Sequence, residues 1–135
     1  MEFKEITLST SKTEEIIDIT SKVSNFISEA GVVNGVCFVY VPHSTAAVII
    51  NENVDPNLRK DILNNLSRLV PEGIWEHDKL DSNATAHLKS ALLSPSISIP
   101  IRSAELVLGT WQSLAFVELD GPRKRSVFVT ILKGD

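Results

Sequence analysis

The apolar positions of the chain change period several times, and each change marks an element. Two short extended segments open it, around Glu2–Ser9 and Glu14–Ile19. Thr20 then offers a cap for a helix through Ala30, because Val23, Phe26, Ile27 and Ala30 recur on one helical face and Gly31 stands ready to stop it. Gly35–Val41 is a continuous apolar run of strand length and reads as a strand buried on both faces. Pro42-His43-Ser44 interrupts it, and Ala46–Asn51 resumes extended structure.

The second helix has the plainest signals. Asp55 is a natural N-cap and Pro56 suits the first helical position. Leu58, Ile62, Leu66 and Leu69 then share a face, while Arg59, Lys60, Asn64 and Arg68 point away. Pro71 and Gly73 end the helix, the polar loop Glu76–Ser82 follows, and a short third helix spans about Ala84–Leu93. Beyond it Ile97, Ile99 and Ile101 alternate with Ser98 and Pro100 over Ser96–Ile101, the pattern of a half-exposed edge strand. Glu105–Leu108 turns through Gly109-Thr110 into Trp111–Leu119, Asp120-Gly121-Pro122 forms a turn, and Ser126–Lys133 closes the chain. Strands and helices come in runs, without strict βαβ alternation. The expected class is α+β, with largely antiparallel β-sheet layers packed with about three helices.

Composition narrows the picture. The chain has 135 residues, which suits a single domain over 1–135. With 43% apolar and 22% charged residues it is not a disordered chain. A net charge of −4 argues against a nucleic-acid partner, which needs a clustered Lys/Arg surplus. The single cysteine, Cys37, excludes a disulfide framework and, lying in the apolar run, is expected to be buried and inert. No apolar run approaches a membrane span and Met1–Glu5 lacks the stretch of a signal peptide. A cytoplasmic chain with no membrane partner is expected.

Candidate chemistry centres on three histidines, His43, His77 and His87. Each sits beside a loop or a helix start, and none belongs to an apolar repeat. Three neutral imidazoles suffice for a catalytic zinc-type site, which keeps a further position for water or substrate. The ten-residue step from His77 to His87 matches no short zinc motif, and a loop histidine is usually a plain surface residue. Near His43, either Glu52 or Asp55 is placed to orient an imidazole or bind a hard cation, if the strand Ala46–Ile50 pairs with its predecessor. Capping the second helix suits Asp55 better. Arg123-Lys124-Arg125 is either a solvated hairpin end or a phosphate clamp. Glu118 alternates with Leu114 and Phe116, so a buried carboxylate there needs a partner.

Several strings carry more than their parts. Pro42-His43-Ser44-Thr45-Ala46-Ala47, Asn51-Glu52-Asn53-Val54-Asp55-Pro56, Asn83-Ala84-Thr85-Ala86-His87-Leu88-Lys89-Ser90 and Gly109-Thr110-Trp111-Gln112, with the closing Glu118-Leu119-Asp120-Gly121-Pro122-Arg123, resemble the YjbQ family, also called the secondary thiamine-phosphate synthase family. The resemblance covers nearly the whole chain in order. It implies an α+β protein assembled as a homotrimer with sites near subunit boundaries, and His43, His77 and His87 fall where family motifs carry histidine. Ser44 stands where relatives often have Thr, and Ser94-Pro95 where Gly-Ser is common; neither departure removes a proposed ligand.

The implied reaction joins hydroxymethylpyrimidine diphosphate to a thiazole phosphate, releasing diphosphate. A divalent metal, zinc-type at the three histidines or Mg²⁺ for the diphosphate chemistry, is the implied cofactor. Arg123 and Lys89 would meet the phosphates, and Trp111 with Gln112 would wall the pyrimidine. Glu52 or Asn83 would orient ligands or substrate. The competing readings are a metal-dependent hydrolase of a small phosphorylated or acyl metabolite, and a non-catalytic metal- or ligand-binding trimer.

Overall fold

The structure, a computed structural model, describes residues 1–134. Its elements in order are β1 (Glu2–Ser9), β2 (Glu15–Asp18), α1 (Thr20–Ala30), β3 (Gly35–Tyr40), β4 (Ala46–Asn51), α2 (Pro56–Leu69), a 3₁₀ turn (Glu76–Lys79), α3 (Ala84–Leu93), β5 (Ser96–Arg102), β6 (Glu105–Leu106), β7 (Ser113–Glu118) and β8 (Lys124–Lys133). The strands form two sheets, a five-stranded one in the order β1-β8-β3-β5-β6 and a three-stranded one in the order β2-β7-β4. Every pairing between them is antiparallel, as the α+β reading anticipates.

The two sheets face each other across the main core. Ile6 and Leu8, Cys37 and Val39, Ile99 and Ile101, and Val127, Val129 and Ile131 point inward from the large sheet. Val48, Leu114 and Phe116 meet them from the small one, and α1 contributes Val23, Phe26 and Ile27. The other face of the small sheet is covered by α2 and α3, where Leu63, Ala86 and Leu93 pack on Ile16, Ile49, Val117 and Leu119. Both faces of β7 are therefore buried, which makes it the central strand of the fold.

Local signals mostly hold, with instructive departures. Asp55 caps α2 by accepting the Asn57 N–H at 2.8 Å, and Pro56 opens the helix. Gly31 ends α1 at φ 65°, a left-handed conformation that glycine adopts without steric cost. Thr20, expected as a cap, is the first helical residue instead; its hydroxyl accepts the Leu114 N–H at 2.9 Å and so ties α1 to β7. The buried stripe of α2 runs through Leu63, Leu66 and Val70, and Leu69 is turned to solvent. The expectation that β3 is buried on both faces fails on one side: Phe38 and Tyr40 are exposed, because no element covers the outer face of the large sheet. Cys37 points inward, and burial pushes its thiol up to about 11, so it is an inert core residue. No described helix is long and apolar enough to cross a membrane.

Candidate metal and phosphate site

Two buried charges fasten the base of the site. β7 ends at Glu118, which is fully buried, and the second residue of β8 is Arg125, 3% exposed. Glu118 Oε1 accepts from Arg125 Nε at 2.9 Å and from Thr10 Oγ1 at 2.7 Å. Its Oε2 accepts from Arg125 and from the backbone N–H groups of Leu119 and Asp120, each at 3.1 Å. Burial alone would raise the Glu118 carboxyl, but the hydrogen bonds from Arg125, Thr10 and the Asp120 N–H, with the Arg125 charge, hold it below the ordinary value. Arg125 also donates to Thr45 O and Thr45 Oγ1, at 3.1 and 2.9 Å. One ion pair thus joins the loop after β3, the end of β7 and the start of β8.

On that base stands a line of polar groups. Arg123 donates from its side chain to Asp120 twice, Nε to the main-chain oxygen at 2.8 Å and Nη2 to Oδ2 at 3.0 Å. Asn83 Nδ2 donates to the same Oδ2 at 3.0 Å, and Asn83 Oδ1 lies 2.9 Å from His77 Nε2. The His77 and His87 rings meet edge to face, with centroids 4.8 Å apart. Asn83 occupies the N-cap position of α3, yet caps nothing with its side chain; the Ala84 N–H is instead satisfied by Asp78 Oδ1 at 3.3 Å.

The line determines a proton position. An ionised carboxylate only accepts, so Asp120 must face the amide NH₂ of Asn83, and Oδ1 must face His77. His77 Nε2 therefore carries the proton and its Nδ1 keeps the lone pair. Metal-binding imidazoles are typically held this way, donating one N–H to an oxygen and binding through the other nitrogen. Two imidazoles sharing one tetrahedral metal at about 2.0–2.1 Å hold their centroids about 5 Å apart. The His77–His87 centroid distance of 4.8 Å is compatible with that spacing, with the two rings in edge-to-face contact.

His43 departs from the expected three-histidine set. Its Nε2 accepts the Ser126 N–H at 2.9 Å. Burial and the charge of Arg125 hold its pKa below the ordinary histidine value. Among the described residues no group of three His, Cys, Asp or Glu is gathered that would hold a metal ion.

Four further expectations are redirected. Lys89, expected to meet phosphate, is 4% exposed, and its Nζ donates to Glu14 Oε2 at 2.7 Å and Ser67 Oγ at 3.1 Å. It ties α3 to α2 and to the segment before β2. Gln112 closes its own turn, its Oε1 accepting the Gly109 N–H at 2.8 Å. Trp111 is exposed in that turn, just before β7, whereas Glu118 and Asp120 lie at the strand's other end. Glu52 follows β4, which pairs with β7 rather than with β3, in the register Ala46↔Glu118 to Asn51↔Ser113. Glu52 therefore shares the Trp111 end, roughly 20 Å of strand away from Glu118.

Asp120, Ser126 and the apolar groove of Val70, Trp75, Leu88, Ala91 and Leu92 are the features the sequence reading missed. The groove, about 360 Å³, is built from the end of α2, Trp75 before the 3₁₀ turn and one face of α3. Gly121 matters sterically: a Cβ there would strike Lys12 O and lie 2.8 Å from both Glu118 Cγ and Thr10 Oγ1. Gly121→Ala is expected to cost about 1–3 kcal/mol, as overpacking does, and chemical denaturation will measure it.

Comparison with known proteins agrees with this architecture. The family described as UPF0047 protein YjbQ-like matches residues 4–134. UPF0047 protein MJ1081 of Methanocaldococcus jannaschii is 45% identical over 93% of this chain and 90% of its own length. A UPF0047 protein of Archaeoglobus fulgidus is 48% identical over 95% of this chain and 99% of its own. The crystal structure of hypothetical protein APE1520 from Aeropyrum pernix superposes with a TM-score of 0.95 at 43% identity, covering 99% of this chain and 100% of that one. A YbjQ-like protein of unknown function from Sulfolobus solfataricus gives the same TM-score at 40% identity, covering 98% and 97%. The chain belongs to the YjbQ-like UPF0047 family.

Proposed function

We propose that the chain is a transferase acting on small phosphorylated substrates, of the thiamine-phosphate synthase type that its motifs resemble. The observation that carries this reading is the line Arg123–Asp120–Asn83–His77, which links a half-exposed guanidinium to an imidazole pair. In the reaction, the bond from the pyrimidine methylene carbon to the diphosphate oxygen breaks, its electron pair leaving with the diphosphate. The thiazole nitrogen supplies the pair for the new carbon–nitrogen bond. A divalent metal held by His77 and His87 would supply charge neutralisation for the leaving diphosphate.

The remaining work falls to the chain's own residues. Arg123 keeps N–H donors beyond those given to Asp120 and is half exposed, so it can bind a phosphate oxygen while held in place. Asn83 holds His77 in one tautomer. The groove around Trp75 and Leu88, rather than the exposed Trp111, would serve as the apolar wall for the pyrimidine. The uncovered face of the large sheet, with Phe3, Phe38, Tyr40 and Leu132 exposed, supports self-assembly as the expected homotrimer.

Arg123→Ala is expected to weaken pyrophosphate binding about 10- to 100-fold, the worth of a hydrogen bond to a charged group, with the fold intact. Calorimetric titration tests this, and unchanged affinity removes Arg123 from the site. Turnover assays with paired pyrimidine and thiazole substrates, with and without chelator, separate the transferase from a hydrolase. A hydrolase would release phosphate from a single substrate.

A further inference from the structure

We propose that His43 is a fixed neutral hydrogen-bond donor to a phosphate oxygen of the substrate, and not a ligand of the metal. This rests on the reading of the site as one for phosphorylated substrates, and assigns His43 a separate role within it. A backbone N–H can only donate, so the Ser126 N–H occupies the lone pair of His43 Nε2. Neutral imidazole carries one proton, which must then sit on Nδ1. No lone pair is left for a metal, which binds neutral imidazole through one.

The fold holds both partners of that bond. Arg125 immediately precedes Ser126, and its guanidinium donates to Thr45 O and Thr45 Oγ1, two residues beyond His43. The buried Glu118 fixes that guanidinium in turn. Releasing Nε2 for a metal would require breaking a contact that the buried ion pair braces from both sides.

The other nitrogen is available. No described residue accepts from Nδ1, and the only buried side-chain nitrogen or oxygen without a partner among the described residues is Asn53 Nδ2. The Nδ1–H of His43 therefore opens to solvent. The charged groups that face the ring are Arg125, Glu118 and Arg123. Glu118 is paired with Arg125 within the core, and near the surface the half-exposed Arg123 is paired with Asp120 and keeps further N–H donors beyond that pair. A neutral N–H beside an exposed guanidinium suits an anionic oxygen of phosphate or diphosphate. It donates without requiring a further proton, which the nearby guanidinium groups disfavour.

The test is nitrogen-15 NMR of histidine-labelled protein, with the three rings assigned through His43→Gln, His77→Gln and His87→Gln. His43 is expected to show the Nδ1–H tautomer, and inorganic pyrophosphate should shift that N–H and slow its exchange. Zinc ion alone should perturb His77 and His87 while His43 keeps its proton. His43→Gln preserves an acceptor for Ser126 and takes away the ring Nδ1–H, leaving only a side-chain amide N–H that does not occupy the Nδ1 position. It should weaken pyrophosphate binding about tenfold or more, with metal binding unchanged. An Nε2–H tautomer, loss of the Nδ1 proton on adding zinc, or a pyrophosphate titration that leaves His43 unmoved would overturn the proposal. A pyrophosphate response at His43 with no zinc response at His77 and His87 upholds the donor and sinks only the metal pair.

Discussion

Glu118→Ala is expected to destabilise the protein by about 3–5 kcal/mol, because it leaves a buried guanidinium without its counter-charge. Five donors converge on the Glu118 carboxylate: two from Arg125, one from Thr10 and the N–H groups of Leu119 and Asp120. Removing it leaves Arg125, 3% exposed, with only the two oxygens of Thr45. Replacing both partners by apolar residues of similar volume, Glu118→Leu with Arg125→Met, should restore most of the loss, since no charge is then stranded. The pH dependence carries a sign. The folded-state pKa of Glu118 lies below its reference value of 4.5. Its contribution is thus fully present above about pH 4.5 and is lost as pH falls through the lowered value. Denaturant titrations of the parent and both variants measure this; a single-variant loss below about 1 kcal/mol would show that the pair is not the brace described.

Asn83→Ala should weaken divalent-metal binding about 10- to 100-fold, the usual effect of deleting the group that orients a metal-binding imidazole. The variant removes the acceptor that keeps the proton on His77 Nε2, so the lone pair no longer has a fixed direction. Asp120→Ala should act in the same direction but less strongly, because it frees the Asn83 amide to flip without deleting it. Arg123→Ala, one link further out, should scarcely alter metal affinity and should act on pyrophosphate instead. The effect on metal therefore decays along the line while the effect on anion grows. Competition against a chromophoric chelator reads the first and calorimetry the second. Equal metal affinity in the parent and Asn83→Ala would contradict the orienting role.

Features set by local chemistry were legible in the chain. The Asp55 cap, the Gly31 stop and the alternation of Ile97, Ile99 and Ile101 depend on near neighbours and on a period. What escaped depends on strand order. Placing Glu52 near His43 required β4 to fold back on β3, but β4 pairs with β7 and carries Glu52 to the opposite end. Trp111 and Gln112 are displaced for the same reason. Lys89 stands two residues from His87, yet a helix turns it into the interior, where Glu14 and Ser67 receive it. Asp120 reads as an ordinary turn residue until α3 brings Asn83 against it. The spacing of the three histidines held no sign that Ser126 would take a nitrogen of His43.

The central claim is that His77 and His87, oriented through Asn83, bind a divalent metal in which His43 takes no part. Elemental analysis of untagged protein prepared without chelator and then reloaded with zinc tests it most directly, beside His77→Ala, His87→Ala and His43→Gln. Near-stoichiometric metal in the parent and in His43→Gln, lost in His77→Ala and His87→Ala, is the expected result. No metal in the reloaded parent, or metal lost equally in His43→Gln, would contradict it.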